Sequence, residues 1–255
     1  TQNVIVKSIR PEGARDVAES SSFLLEYGLT RRDLELVRST IPGVIQVVPL
    51  REVAFEVSYG ATRLPASVVA TPPTFFEAIQ IEVARGRPLK PIDHENLAKV
   101  CVIGDQIRRR LFAYEDPIGE CILVTSHASG TIPFEIVGVL EEVRTAGSPA
   151  KGIGERNLNA EIFIPLSTGD ARYSDLQVKR SSGTREYSRC MYSDFYVQAE
   201  DLDDVLPVSE MLRRALEIRH EQADYMIYVP LERLQIAEAE KRNRQITLGC
   251  IAGIS

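Results

Sequence analysis

Chemistry starts from side chains that can attack, ligate a metal or move a proton, and this 255-residue sequence holds few of them in a telling spacing. Its four cysteines, Cys101, Cys121, Cys190 and Cys250, form no CxxC pair, so neither a zinc site nor a dithiol motif is predicted. Cys101 and Cys121 fall in consecutive predicted strands and would pair if those strands were neighbours in an oxidising compartment. Two buried free thiols are the simpler expectation. His94, His127 and His220 lie in loops and at a helix end; a metal site needs them to converge, and their spacing gives no such sign. Ser, His and Asp all occur, but without a nucleophile elbow, an HExxH or paired carboxylates in a Gly-framed loop. Arg85-Gly86-Arg87 opens no phosphate-cradling helix and reads as a turn ahead of a loop over 88–96. Gly152-Ile153-Gly154 lacks the third glycine and preceding strand of a dinucleotide fingerprint. The sequence therefore predicts no catalytic residue, no cofactor and no metal, and points away from an enzyme.

Composition narrows the field further. With 44% hydrophobic and 26% charged residues the chain is neither disordered nor a multispanning membrane protein, and its length suffices for one large or two small cores. A net charge of -6 argues against a nucleic-acid partner, which would need Lys and Arg in excess on one face. The run Arg108–Arg110 is the local basic cluster and reads as the solvated face of a short helix. The N-terminal TQNVIVKSIR enters a strand pattern directly, with no signal peptide, so an extracytoplasmic location would require a delivering segment outside this sequence.

Strands and helices alternate along the chain. Alternation predicts a strand over 3–9, while 15–27 is loop or loose helix. Thr30 with Asp33 is a capping box ahead of Leu34, Val37 and Ile41 at helical spacing, and Pro42-Gly43 stops that helix. A strand follows over 44–57, another over 66–70, then a short helix over 74–79. The stretch 98–142 is a compact unit: a strand over 100–103, a helix over 105–112 with Ile107 and Leu111 on one face, turn residues at Asp116-Pro117 and Gly119, and strands over 121–124 and 134–140. Gly, Pro and Ser mark 144–157 as a linker. A short strand is predicted over 161–165, a long surface loop or hairpin over 166–189, and a strand over 192–199. Val208, Met211, Leu212, Ala215 and Ile218 then form the apolar face of a helix, and a strand over 224–229 closes the run. Residues 231–245 read as a charged helix with Glu238/Arg242 and Glu240/Arg244 in the favourable order. The apolar ITLGCIAGI of 246–254 is far short of the ~20 residues that cross a bilayer. Lys241, Arg242 and Arg244 beside it would, by the positive-inside tendency, sit in the cytoplasm.

Several of these segments, in this order, resemble the MacB-type periplasmic core domain of the MacB/LolC/FtsX class of ABC transporter permeases. The words are V-x-V-I-G at 100–104, a basic helix ending Leu111-Phe112, Glu115-Asp116-Pro117-Ile118-Gly119, and Pro133-Phe134-x-Ile136-Val137-Gly138-Val139-Leu140. A helix running into Ile41-Pro42-Gly43-Val44 and a long strand is a second match, and Asp224-Tyr225-x-Ile227-x-Val229-Pro230 after a helix is a third. Arg85-Gly86-Arg87 stands where the family carries its Gly-Arg, and Ile251–Ser255 resembles the top of its second membrane span.

The resemblance implies an α+β fold of two lobes: a discontinuous porter-like split βαβ lobe over 1–60 and 157–231, and an inserted blade-like α+β subdomain over 61–156. It implies that 232–255 is a charged helix leading into a truncated transmembrane span, against the positive-inside tendency. The implied function is the extracytoplasmic domain of a cytoplasmic-membrane permease, without catalysis of its own. It would couple ATP-driven helix movement to export or release of a substrate across the cell envelope. The implied partners are a cytoplasmic ABC ATPase, a second permease copy, the membrane through flanking helices, and a periplasmic adaptor or a lipoprotein or peptide substrate. A stand-alone extracytoplasmic scaffold, or an FtsX-like regulator of cell-wall hydrolases, is the alternative. On the permease reading Thr1 and the residues near Gln245 should lie at the same end of the molecule.

Overall fold

A computed structural model describes residues 2–11, 24–143, 156–181, 184–220 and 222–229. The fold is α+β. In chain order its elements are β1 (Asn3–Ser8), β2 (Leu24–Glu26), α1 (Arg31–Thr40), β3 (Val44–Tyr59), β4 (Thr62–Thr71), α2 (Phe75–Ile79), β5 (Val83–Gly86), α3 (Pro91–Glu95), β6 (Val100–Ile103) and α4 (Asp105–Leu111). There follow β7 (Cys121–Ser126), β8 (Gly130–Leu140), a 3-10 turn (Leu158–Ala160), β9 (Glu161–Pro165), α5 (Leu166–Arg172), β10 (Leu176–Ser181), β11 (Thr184–Arg189), β12 (Asp194–Ala199), α6 (Val205–Glu217) and β13 (Tyr225–Tyr228). The linker of 144–157, the charged helix of 231–245 and the apolar run of 246–254 lie almost wholly outside the described residues.

Local chemistry explains several elements directly. Thr30 caps α1 as its sequence predicts: Asp33 N–H donates to Thr30 Oγ1, and Thr30 N–H donates back to Asp33 Oδ2 at 2.8 Å. The predicted solvated arginine face of α4 is partly an ion-pair face, because Arg108 and Arg109 both reach Asp105, and Arg109 also reaches Glu142. Two expectations need correction. The loop over 88–96 contains α3, with Asp93 accepting from Lys90 N–H and holding Arg87 through both guanidinium nitrogens at 2.6 and 3.0 Å. The stretch 166–189, expected as a long loop or hairpin, opens with a helix, α5, and only then forms a hairpin, β10–β11, which makes a small sheet with β2. Serine, Gly and Arg gave it loop character; contact with β4 and β9 supplies the helix that local propensity does not. Gly86, predicted as a turn, closes β5 at φ +78°, where Val137 O and Gly138 approach so closely that a side chain has no room. Cys101 and Cys121 are not bonded: β6 and β7 pair with β8 rather than with each other, at Ile136 and Glu135 respectively, and both thiols are free. Cys101 is buried as expected, whereas Cys121 is exposed.

Ten strands join in the order β13-β1-β12-β3-β4-β9-β6-β8-β5, with β7 pairing both β3 and β8. The long strand β3 is discontinuous in its pairing. Its residues Val44 to Leu50 pair with β12, and its residues Arg51 to Tyr59 pair with β4 on the other edge. Among the described residues no position of β3 pairs with both. Beyond Leu50, the β12 edge of β3 regains a partner only at Glu56, where β7 begins to pair. One strand therefore carries two ladders that meet end to end at Leu50-Arg51.

Burial follows the same division. On one face, Val4, Val6, Val47, Phe195 and Val197 pack beneath α1 and α6. On that face farther along, Val53, Val57, Val68, Ile103, Ile136 and Ile162 form a second core with Ile107 of α4 and Tyr173. The opposite face carries a third core that spans both ladders: Ile5, Val48, Leu50 and Tyr196 meet Val69, Phe163 and the α2 residues Phe75 and Phe76. Phe75 meets the Tyr196 ring edge-on at 5.5 Å.

Candidate functional site

Strand parity brings a row of charges to the edge of the third core. Asp194 lies two residues before Tyr196, Glu52 two after Leu50, and Glu161 two before Phe163, so each carboxylate shares a face with a core residue. Lys7 stands directly opposite Asp194, and Ser67 directly opposite Glu161. Ser67 also donates to Glu52 at 3.3 Å. The guanidinium of Arg156 lies over this row, with its side chain 7% exposed. It donates to Glu161 at 3.0 Å, to Glu52 at 3.2 Å and, closest of all, to Asp194. Asp194 is 1% exposed, Glu161 10% and Glu52 30%.

One guanidinium among three carboxylates leaves an excess of negative charge in a poorly solvated place. Burial opposes the Arg156 charge, but Glu161, Asp194 and Glu52 outweigh it and hold its pKa above the ordinary value. Burial also raises Glu161, helped by Glu52 and Asp194, and Arg156 only partly offsets this. The two directions agree physically: the arginine stays charged, and Glu161, buried beside two further acids, is pushed toward its neutral form. Beside the cluster is a cavity of about 270 Å³ lined also by Lys7, Tyr27, Phe55 and Cys190. Burial pushes the Cys190 thiol up to about 11, so it is no ready nucleophile.

The other face of β3 answers at the adjacent position. Arg51, 3% exposed, donates to Asp170 at 2.7 Å, Asp175 at 2.6 Å and the Tyr173 carbonyl at 2.9 Å. A third polar group closes the end of α6. His220 Nδ1 meets Asp224 Oδ1 at 2.7 Å while Nε2 faces Asp33 Oδ2 at 3.4 Å. Asp224 in turn accepts from Gly28 N–H, and Arg219 pairs with Asp33 at 3.2 Å. This ties the start of α1 to the approach to β13.

The histidines do not meet. His94 sits in α3 against Ser167, His127 in the β7–β8 turn, and His220 at the α6 end. Among the described residues no group of three or more His, Cys, Asp or Glu is placed to hold a metal ion. The charged row was not foreseen. Its members come from separate stretches of the chain, and Arg156 lies within the segment 144–157 that reads as linker. The available signal was parity: an acid in each of three apolar strands, two residues from a buried apolar side chain.

Entry and exit of the chain are also set by pairing. β13 lies antiparallel to β1 at the sheet edge, with Ile5 opposite Tyr228 and Ser8 opposite Tyr225. The start of β1 and the end of β13 are therefore side by side. Thr1 and Gln245 themselves lie outside the described residues. No helix among the described residues is long and apolar enough to cross a membrane.

Residues 2–215 match the MacB-like periplasmic core domain family. The macrolide export ATP-binding/permease protein MacB of Nitrosomonas europaea is 28% identical over 89% of this chain and 31% of its own length. The pyoverdine export ATP-binding/permease protein PvdT of Pseudomonas aeruginosa is 31% identical over the same shares, 89% and 31%. The chain thus spans under a third of either relative. Among solved structures, the periplasmic region of MacB from Actinobacillus actinomycetemcomitans superposes with a TM-score of 0.61 at 17% identity, covering 93% of both chains, a likeness of fold.

Proposed function

The chain belongs to the MacB-like periplasmic core domain family, and from that premise we propose that it is the extracytoplasmic part of an ABC transporter permease in the cytoplasmic membrane. In this reading two membrane helices flank the domain, a cytoplasmic ATPase drives them, and the domain passes their movement on to export. The observation that carries the reading is the pairing of β1 with β13, which brings the first and last described strands together at one end. A domain inserted between two spans must begin and end at one membrane surface.

The export named for the relatives, of a macrolide or of pyoverdine, supports a secreted small molecule as cargo. We assign the working unit as a permease dimer with an envelope adaptor. Two lobes suit the packing: the α1/α6 core draws on buried residues up to 47 and from 192, and the α4 core on buried residues 53 to 173. The test removes residues 3–228 from the full-length parent, leaving the membrane spans and ATPase. Cells are then scored for macrolide resistance and siderophore excretion. Loss of export with ATP hydrolysis retained is expected; unchanged export would overturn the proposal.

A further inference from the structure

We propose that β3 between Leu50 and Phe55 is a built-in flexure joining two strand sets, and that the Arg156 cluster is the clasp that fixes their closed angle. One set is β13-β1-β12 with the first half of β3; the other is the second half of β3 with β4, β9, β6, β8, β5 and β7. No described residue of β3 is paired on both edges by these two sets, so no backbone ladder runs continuously across the join. From Arg51 to Phe55 one edge of the strand has no strand partner among the described residues. In the same stretch the β3–β4 register shifts twice, between Glu52 and Ala54 and between Ala54 and Glu56. Bulges of this kind bend a strand and loosen its pairing.

What spans the join differs in kind on its two sides. The third core does so with Phe75 and Phe163 against Tyr196, and apolar contact is non-directional, so it tolerates rotation. Arg156 does so with a planar fork that binds Asp194 of β12 on one side and Glu161 of β9 on the other. Its geometry is satisfied at one angle only. On the opposite face the two cores share no buried residue and meet at the partly buried Leu166, with the buried Arg51 tied to Asp170 and Asp175. A bistable join needs a pivot that absorbs backbone change and a contact that selects one state. Here β3 is the pivot and Arg156 the selector. The inference concerns the geometry of this chain and stands without the transport reading.

The experiment measures spin-label distances in the 255-residue chain between native Cys121 on β7 and a cysteine introduced by Glu210→Cys on α6. Cys250→Ser removes a competing thiol, while Cys101 and Cys190 are buried and unreactive. The intact cluster should give one narrow distribution, and Arg156→Lys, which keeps the charge but loses the fork, should roughly double its width. An unchanged width in a folded Arg156→Lys chain overturns the proposal. If that variant does not fold, hydrogen exchange on the unaltered chain decides: amides within Arg51–Phe55 should exchange roughly ten-fold faster than those of Val47, Val48 and Val57. Equal protection along β3 overturns it as well.

Discussion

Replacing Arg156 by methionine removes the one guanidinium that all three carboxylates share. Glu52, 30% exposed, turns to solvent at little cost, but Asp194 and Glu161 cannot. Removing one partner of a buried ion pair costs about 3–5 kcal/mol, and two nearly buried acids place Arg156→Met in that range. With a urea slope of about 3 kcal/mol/M, the high end for a chain of this size, the midpoint should fall by about 1–1.7 M. Glu161→Gln should behave differently, because Arg156 keeps Asp194 and Glu52. Its effect should stay within about 1 kcal/mol at neutral pH, the scale of one net hydrogen bond. The pH dependence follows from the raised Glu161 pKa. A carboxyl raised on folding binds its proton more tightly in the native state, so its favourable contribution is full below the unfolded value of about 4.3 and is lost as pH rises to the folded value. Denaturant titrations of both variants from pH 4 to 7 should therefore show Glu161→Gln gaining on the wild type as pH rises, then running parallel. A cost below about 1 kcal/mol for Arg156→Met would refute the reasoning, because water would have to reach the cluster.

Asp93 is the opposite electrostatic case: burial alone would raise it, but Arg87 and the Lys90 N–H hold it below the usual carboxylate value. Its contribution is present above the unfolded pKa and lost as pH falls through the folded one, so Asp93→Asn should cost about 1.5–3 kcal/mol at pH 7 and progressively less toward pH 3 in thermal melts. Gly169→Ala would set a methyl 2.4 Å from the Ala70 Cβ, and overpacking of this kind costs about 1–3 kcal/mol, read as a lower melting temperature. A maleimide should label Cys121 in the folded chain and leave Cys101 and Cys190 untouched until denaturant is added, which mass spectrometry will count.

The elements that periodicity could reach were legible in the sequence. Leu34, Val37 and Ile41 gave α1, Val208 and Leu212 gave α6, and the unit from Val100 to Leu140 has the expected strand, helix and hairpin. Family words added the order. Two kinds of feature were hidden. Helix α5 carries Ser, Thr, Gly and Asp, and it forms because Gly169 lets it lie against Ala70, a contact invisible along the chain. The Arg156 row depends on which strand lies beside which: Glu52, Glu161 and Asp194 meet only once β12, β3, β4 and β9 are adjacent. Parity flagged each acid singly; pairing alone assembled them. The division of β3 was hidden for the same reason, since its strand-forming residues run on across Leu50-Arg51 while its partners change.

The central claim is that this domain stands outside the cytoplasmic membrane, anchored at one end. Cys121 is exposed on β7 and offers a direct reporter. The full-length parent is treated with a membrane-impermeant maleimide in right-side-out and in inverted membrane vesicles, with Cys121→Ser as control. Labelling in right-side-out vesicles that disappears in the control is the predicted result. Labelling of Cys121 confined to inverted vesicles would contradict it.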